Sequence, residues 1–368
     1  MHLKNIQLLN FKNCEEIKLD FSSNINCFLG NNGEGKTNLL DAIFYLSFCK
    51  SYFNPSDSQI IRHDEPFMVL QGEFDIKGKN ESIYCGIKRG QKKQFKRNKK
   101  EYEKLADHIG LIPLVMISPE DSLLILEGSE VRRRFLDLII SQYDRNYLDY
   151  LIQYNKALSH RNRLLKKFME TRQFDVASLE VWDDQLLRFG TPIFEARNLF
   201  IQEFIPLFQK HYDYISNKKE QVNLVYESKL IEHKFENLLI ETRDKDRRRT
   251  YTNAGVHKDD LSFELGGKPI KKFGSQGQQK TFLLALKLAQ AEFLKSIKKI
   301  APILLLDDIY DKLDESRISK LMEVVQDKLF GQVFISDTHH DRLPKLFTNL
   351  KTEHKVFKIK AGEALTYE

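Results

Sequence analysis

Gly30-Asn31-Asn32-Gly33-Glu34-Gly35-Lys36-Thr37 decides the fold. It fits G-x-x-x-x-G-K-[ST] and stands where a phosphate loop must stand. Ile25, Cys27 and Phe28 lead into it with strand character. After it, Leu39, Leu40, Ile43 and Phe44 recur at three- and four-residue steps, the period of a helix. Such a unit turns backbone N–H groups around phosphate oxygens and aims the positive end of a helix at them. Lys36 is expected to reach the β- and γ-phosphates of ATP, and the Thr37 hydroxyl to hold Mg2+. Gly30, Asn31, Asn32, Gly33, Glu34, Gly35 and Asn38 complete the expected nucleotide contacts.

A second half-site lies far along the chain. Ile303-Leu304-Leu305-Leu306-Asp307-Asp308 is four apolar residues followed by two carboxylates, the pattern of a buried central strand ending at the phosphates. Asp307 is expected to hold Mg2+, directly or through water, and Asp308 to polarise the attacking water as general base. With Lys36 they form the expected catalytic set. A helix-capping Asp after a core strand is the plainer reading of Asp308. Shortly before this strand, Phe273-Gly274-Ser275-Gln276-Gly277-Gln278-Gln279-Lys280 opens a helix rich in Leu and Ala. Serine and glycine at a helix N-terminus make an anion site. A chain that already owns a phosphate loop has use for a second such site if Ser275, Gln276, Gly277 and Gln278 serve the γ-phosphate of another subunit's nucleotide.

The rest of the pattern falls into three stretches. Leu3, Ile6, Leu8 and Phe11, then Ile17, Leu19 and Phe21, then Ile25, Cys27 and Phe28 read as short strands of a half-buried antiparallel set. Ser118-Pro119-Glu120-Asp121 reads as a helix start with an S-x-x-D box, and the chain keeps a helical pattern to about Arg249. Strand alternation returns at Leu261–Leu265, with Gly266-Gly267 as a hairpin turn, and helix and strand alternate thereafter. The expected organisation is 1–117 as the first part of a nucleotide-binding lobe, 118–274 as a mostly helical lobe, and 275–368 as the remainder of the first. This is an α/β fold with a helical insertion.

Composition excludes several classes. At 368 residues, 41% hydrophobic and 30% charged, the chain is long enough for about two domains. No apolar run approaches the roughly 18 residues of a membrane span, and the N-terminus lacks a secretory apolar segment. Cys14, Cys27, Cys49 and Cys85 are widely separated and read as buried thiols. The net charge of +6 comes from one block: nine Lys/Arg against two Glu between Lys88 and Lys104. By itself that block reads equally as a phosphate-contacting surface or as a solvated hairpin.

The three nucleotide motifs resemble those of ABC-type ATPases, whose heads sandwich two ATP molecules. Asp311-Lys312-Leu313-Asp314 resembles their D-loop and adds Asp314 to the nucleotide contacts. Nearly end to end, the chain resembles the RecF family of bacterial recombination mediators. The resemblance is carried by Leu3-Lys4-Asn5-Ile6, by Asn10-Phe11-Lys12-Asn13 and by the run from Gly35 to Ile43. Further on it is carried by Ser118-Pro119-Glu120-Asp121, Gly128-Ser129 and Arg132-Arg133-Arg134-Phe135-Leu136-Asp137. It continues in Tyr154-Asn155-Lys156-Ala157-Leu158 with Arg161-Asn162, and in Ser275-Gln276-Gly277-Gln278-Gln279-Lys280. It implies an ABC-type ATPase head with an antiparallel β subdomain and an inserted helical lobe, using ATP and Mg2+. It also implies an ATP-dependent homodimer that binds duplex and gapped DNA and, with RecR and RecO, helps load RecA. A cytoplasmic, nucleoid-associated location and slow hydrolysis follow from the same resemblance. Asp308 stands where many ABC-type heads carry Glu, and one methylene fewer draws the base back from the water. The basic hairpin, with Lys92, Lys93, Lys96, Arg97, Lys99 and Lys100 on a tip, is then the first candidate for DNA phosphates; Arg132–Arg134 and Arg247–Arg249 are weaker ones.

Departures from the family pattern are Val256 for a proline and Lys258 for an arginine in Gly255-Val256-His257-Lys258-Asp259-Asp260-Leu261. Phe53-Asn54 stands where an Arg-Thr pair is usual. The γ-phosphate sensor falls to Thr338 or His339; for His339 and His340 a solvated loop is an equal reading. The nearest rival is an SMC-like chromosome-organising ATPase. Residues 118–274, even as one helical hairpin, would give arms of only about 110 Å, and they lack sustained heptads. A transporter ATPase subunit fits the divergent signature poorly. A non-enzymatic clamp, in which ATP is dimer glue and hydrolysis only dismantles it, stays open beside the Asp307-Asp308 pair, which favours some hydrolysis; a nuclease has no further compact cluster of metal-ligand spacing.

Overall fold

A computed structural model describes residues 1–54, 56–218, 220–308, 314–338 and 353–367, with side chains up to 365. It contains two compact units, Met1–Asp121 with Lys280–Glu368, and Ser122–Gln279. The borders fall a few residues beyond 117/118 and 274/275. Asp121 is tied back into the first unit by Lys287 at 2.6 Å and Tyr52 at 3.0 Å. Gln278 is tied into the second by Glu220 at 2.7 Å.

The first unit carries two sheets among the described residues. One is antiparallel and comprises β1 (His2–Phe11), β2 (Cys14–Asp20), β4 (Phe67–Ile76), β5 (Lys79–Lys88), β6 (Gln94–Arg97) and β7 (Lys100–Glu101). Its strand order is β2-β1-β4-β5-β6-β7. In β4, buried and less buried positions alternate, as one covered face requires. The other sheet comprises β3 (Ile25–Leu29), β8 (Leu114–Ile117), β12 (Ile303–Leu306), β13 (Val333–Asp337), β14 (His354–Lys360) and β15 (Glu363–Tyr367). It is ordered β15-β14-β3-β13-β12-β8.

The sheet membership of β3 corrects the sequence reading. It does not extend the antiparallel set but pairs in parallel with β13 and β14. All five of its residues are buried, as in β13, and a strand covered on both faces shows no alternation. Phe21, Phe28, Phe334 and Phe357 pack edge-on and stacked over this sheet, with ring centroids 4.9–6.2 Å apart. The helix after the phosphate loop is α1 (Lys36–Phe48).

The second unit is mostly helical: α2 (Leu123–Leu126), α3 (Ser129–Ser141), α4 (Arg145–Thr171), α5 (Val176–Ser216), α6 (Phe235–Arg249) and α7 (Ile270–Phe273). The helix start read at Ser118 is a 3-10 turn over Pro119–Ser122, closed by the Ser118 N–H donating to Asp121 at 2.9 Å. Asp144 and Asp175 cap α4 and α5, accepting from Tyr147 N–H and Ser178 N–H. A strand, β9 (Val222–Glu227), interrupts the helical stretch and pairs with β10 (Asp260–Leu265). Gly266 and Gly267, both at positive φ, turn β10 into β11 (Lys268–Pro269). From the second unit α8 (Gln276–Lys298) continues into the first, which also contains α9 (Glu315–Gln326).

Two arginines are buried whole in the helical unit. Arg161 holds Asp183 at 2.5 Å, Asp246 at 2.7 Å and Thr252 at 3.0 Å. Arg197 holds Asp137, Asp259 and the Val256 carbonyl at 2.8–3.3 Å. The block around His257 therefore supplies core partners. Val256 gives Arg197 its carbonyl, which a proline would also supply, while Lys258 lies exposed over the Tyr251 ring.

Candidate nucleotide site

The phosphate loop joins β3 to α1 at the carboxyl ends of parallel strands, where open α/β sheets bind ligands. Gly33 and Gly35 take φ of 85° and 113°, conformations closed to most side chains. A Cβ at Gly30 would lie 2.3 Å from the Ile359 carbonyl of β14. Asn31, Asn32 and Gly33 are exposed, so the crown of the loop faces solvent. Lys36 turns back across it, its Nζ donating to the carbonyls of Gly30 and Asn31 at 2.9 Å each.

Thr37 Oγ1 donates to Asp307 Oδ1 at 2.9 Å, which brings the two distant motifs into direct contact. Ser336, at the end of β13, donates to the same carboxylate oxygen at 2.7 Å and accepts the Asp308 N–H at 2.9 Å. Burial raises the Asp307 carboxyl above the ordinary aspartate range; the hydrogen bonds from Ser336 and Thr37 and the charges of Lys36 and Lys12 oppose that rise. Asp308 has φ of 44°, a left-handed turn that re-aims the chain just past the strand. A hydroxyl and a carboxylate 2.9 Å apart beside a lysine on a phosphate loop fit a hard divalent cation and a phosphate chain.

Further side chains brace this centre, and the motifs do not announce them. Asn13 donates to the Glu34 carbonyl at 3.3 Å and accepts from Asn38 at 2.6 Å. The Glu34 carboxylate accepts from the Ala361 N–H, and its carbonyl from Gly362 N–H at 2.9 Å, so the turn between β14 and β15 clasps the loop. Lys12 pairs with buried Asp41 at 2.7 Å and faces the Phe53 ring, the position where the family's Arg-Thr pair is absent. Glu120, just past β8, has its carboxyl raised by burial and by Asp121, Asp307 and Asp41. Its signal in the sequence was position: β8 lies in register beside β12, so residues following both strands share one edge. Thr338 follows Asp337, whose carbonyl accepts the Gly30 N–H at 3.3 Å. His339, His340 and Asp311-Lys312-Leu313 lie outside the described residues. Asp314 caps α9 by accepting the Arg317 N–H at 3.0 Å.

In the helical unit, Ser275 starts α8. Its hydroxyl accepts the Gln278 N–H at 3.2 Å, and its own N–H donates to Gln278 Oε1 at 2.6 Å, a reciprocal capping box. Ser275 and Gln276 sit at the start of the helix, with Gly277 half-buried beside them.

The basic hairpin is not one tip. Lys92 and Lys93 lie in the turn before β6, while Lys99 and Lys100 lie beyond its other end. Lys93 is folded inward onto Asp57 at 2.8 Å, the Tyr45 hydroxyl at 3.0 Å and the Cys49 carbonyl at 2.6 Å. Arg97 grips Glu81 with two bonds of 2.7–2.8 Å, and Lys96 covers the Tyr84 ring. Lys92, Lys99 and Lys100 are exposed. Of the arginine triplets, Arg132 is held by Asp260, Arg133 by the Asp259 carbonyl and Arg134 by Glu130.

The parallel sheet, phosphate loop and facing carboxylate define a P-loop ATPase head. The family model described as "RecF/RecN/SMC N terminal domain" matches residues 2–362. A DNA replication and repair protein RecF of Phocaeicola vulgatus is 54% identical over 99% of this chain and 98% of its own. Its counterpart in Porphyromonas gingivalis is 42% identical over 99% of each. A solved structure of the recombination mediator protein RecF with ATP, in the RecFOR pathway, matches with a TM-score of 0.89 and 31% identity, covering 100% of this chain and 98% of that one. An Smc head domain shares the fold at 14% identity and a TM-score of 0.58. The chain belongs to the RecF family of DNA replication and repair proteins, ABC-type ATPases by class. Among the described residues no helix is long and apolar enough to cross a membrane.

Proposed function

We propose that two copies of this chain close around ATP and Mg2+ to hold DNA during recombinational repair and replication-fork recovery, and that slow hydrolysis releases them. The protein is a recombination mediator of DNA replication and repair; its proposed partners are duplex and gapped DNA, RecR and, through RecR and RecO, RecA. The observation that carries the ATP reading is the contact of Thr37 with Asp307 beside Lys36.

Incoming phosphate oxygens take the place of the Gly30 and Asn31 carbonyls on the Lys36 ammonium, while the loop N–H groups hold the remaining oxygens. Thr37 and Asp307 would hold Mg2+, which would supply charge neutralisation to the phosphates. Ser336 fixes Asp307 and the Asp308 backbone together, so the Asp308 carboxylate is aimed from a set turn and accepts the proton of the attacking water. Its short side chain reaches less far than glutamate, which supports slow turnover. Asp308→Glu should raise steady-state hydrolysis; an unchanged or lower rate would refute the reach argument. Ser275 to Gln278 of one copy, with Asp314, serve the γ-phosphate held by the other, and Thr338 is the described candidate for its sensor.

Light scattering without nucleotide, with Mg-ATP and with Mg-ADP tests the assembly. The mass should double with Mg-ATP alone, and neither Lys36→Ala nor Ser275→Arg should dimerise. Doubling by Ser275→Arg would show that the signature does not act across the interface.

A further inference from the structure

We propose that the outer face of α4 in the helical unit, together with the segment that follows α6, is a contact surface for the phosphate backbone of duplex DNA. This rests on the DNA-binding reading above and gives it a surface besides the basic hairpin.

Asn155, Leu158, Ser159, Asn162, Arg163 and Lys166 line a hollow of about 430 Å³ on α4. Five of the six carry donors and none is acidic. Arg163 and Lys166 are exposed and have no ion pair among the described residues. In the hairpin Lys93 and Arg97 are engaged by Asp57 and Glu81, which leaves Lys92, Lys99 and Lys100 as its exposed cations.

More cations adjoin the hollow. Thr252 N–H and its hydroxyl both donate to Asn162 Oδ1 at 2.8 Å, and Tyr154 bonds His257 at 2.7 Å. Residues 252–257 are thus stitched along α4 between Tyr154 and Asn162. On either side of that stitch stand exposed Arg249, bonded to the Tyr251 hydroxyl at 3.3 Å, and exposed Lys258, whose ammonium lies over the Tyr251 ring at 5.0 Å. Tyr251 therefore orients two cations without neutralising either. Of the acids near the stitch, Asp246 is buried on Arg161 and Asp259 on Arg197 and Tyr226, while Asp244 and Glu170 stand exposed farther along α6 and α4.

The stretch of helix from Asn155 to Lys166 extends about 16 Å, the rise of about five base pairs along a duplex strand. Amide and hydroxyl donors between the charges suit phosphate oxygens, and nothing in the face is shaped to read bases. Lys258, where the family pattern has arginine, serves as a point charge at such a site.

The test is fluorescence anisotropy of a labelled duplex of about three helical turns, titrated with the full chain in Mg-ATP at several salt concentrations. R163A/K166A/R249A/K258A is compared with wild type and with K92A/K99A/K100A. The four-site variant should bind at least about tenfold more weakly at low salt, and its log Kd against log salt should flatten by about 3.6, near 0.9 for each phosphate no longer neutralised. Its ATP binding and thermal midpoint should match wild type, and K166R/K258R should bind DNA as wild type does. Wild-type affinity and slope in the four-site variant, with binding abolished in the hairpin variant, would overturn the proposal and leave the face to an acidic protein partner. Salt-insensitive or absent duplex binding by wild type would overturn the DNA reading itself, and this surface with it.

Discussion

The phosphate-loop centre and the core of the helical unit both bury charge, but they satisfy it differently. Lys36, 4% exposed, rests on two backbone carbonyls, and Asp307 accepts from two hydroxyls. Arg161 and Arg197 are locked to the carboxylates of Asp183, Asp246, Asp137 and Asp259. A charge held by neutral dipoles can exchange them for a phosphate or a cation and strand no opposite ion. A charge held by counter-ions cannot, because the partner would be left buried and unpaired. The first arrangement waits for a ligand; the second fixes a fold.

The strongest way to break this comparison is Arg161→Ala. It leaves Asp183 and Asp246 without their cation, and urea unfolding should show about 3–5 kcal/mol lost. Lys36→Met should instead keep stability within about 1 kcal/mol while ATP hydrolysis falls about a hundredfold or more. A stability loss as large as that of Arg161→Ala would erase the distinction.

Acid sharpens the comparison, because each unit holds a neutral histidine in the same arrangement, buried His108 in one and half-buried His257 in the other. His108 donates from Nε2 to the Leu46 carbonyl and accepts the Tyr102 hydroxyl; His257 donates to the Thr252 carbonyl and accepts the Tyr154 hydroxyl. Removal from water lowers both from the ordinary 6.5 to about 4. The stability this confers is complete above pH 6.5 and is lost as pH falls toward 4, at about 1.4 kcal/mol per pH unit for each histidine. Urea midpoints at about pH 7 and pH 5 should differ accordingly, and His257→Gln, which keeps both bonds, should remove the helical unit's share. The smallest effect belongs to the clasp on the phosphate loop. Gly362 has φ of 82°, and a Cβ there would lie 2.5 Å from the Asn13 carbonyl. Gly362→Ala should cost about 1 kcal/mol or slightly more and weaken ATP binding in a fluorescent-nucleotide titration.

How much of this the sequence disclosed follows from the range of each interaction. The loop from Gly30 to Thr37 and the Ile303–Asp308 strand were legible because each is a local pattern with its own chemistry. The membership of β3 was not, since alternation in β1 and β2 runs into a fully buried strand with only a few residues between them. β9 did alternate, with Val222, Leu224 and Tyr226 buried, but it is six residues long amid helical periodicity. The charge of the 88–104 block was legible; its neutralisation by Asp57 and Glu81 was not, because those partners lie outside the block. Ser336 gave no motif at all, and its role rests on β13 lying beside β12.

The clasp has a consequence for the order of assembly. Glu34 and Ala361 are 327 positions apart, and β3 finds both its neighbours, β13 and β14, only after the helical unit has been made. During synthesis the helical unit, which spans 122–279 without interruption, is complete while β3 still lacks either side. The strand that leads into the phosphate loop therefore stays an unpaired apolar segment while the helical unit is made, the kind of surface that chaperones shield. The loop gains its brace only after the turn at Ala361-Gly362 leaves the ribosome, so the newborn chain acquires its nucleotide grip after its helical unit.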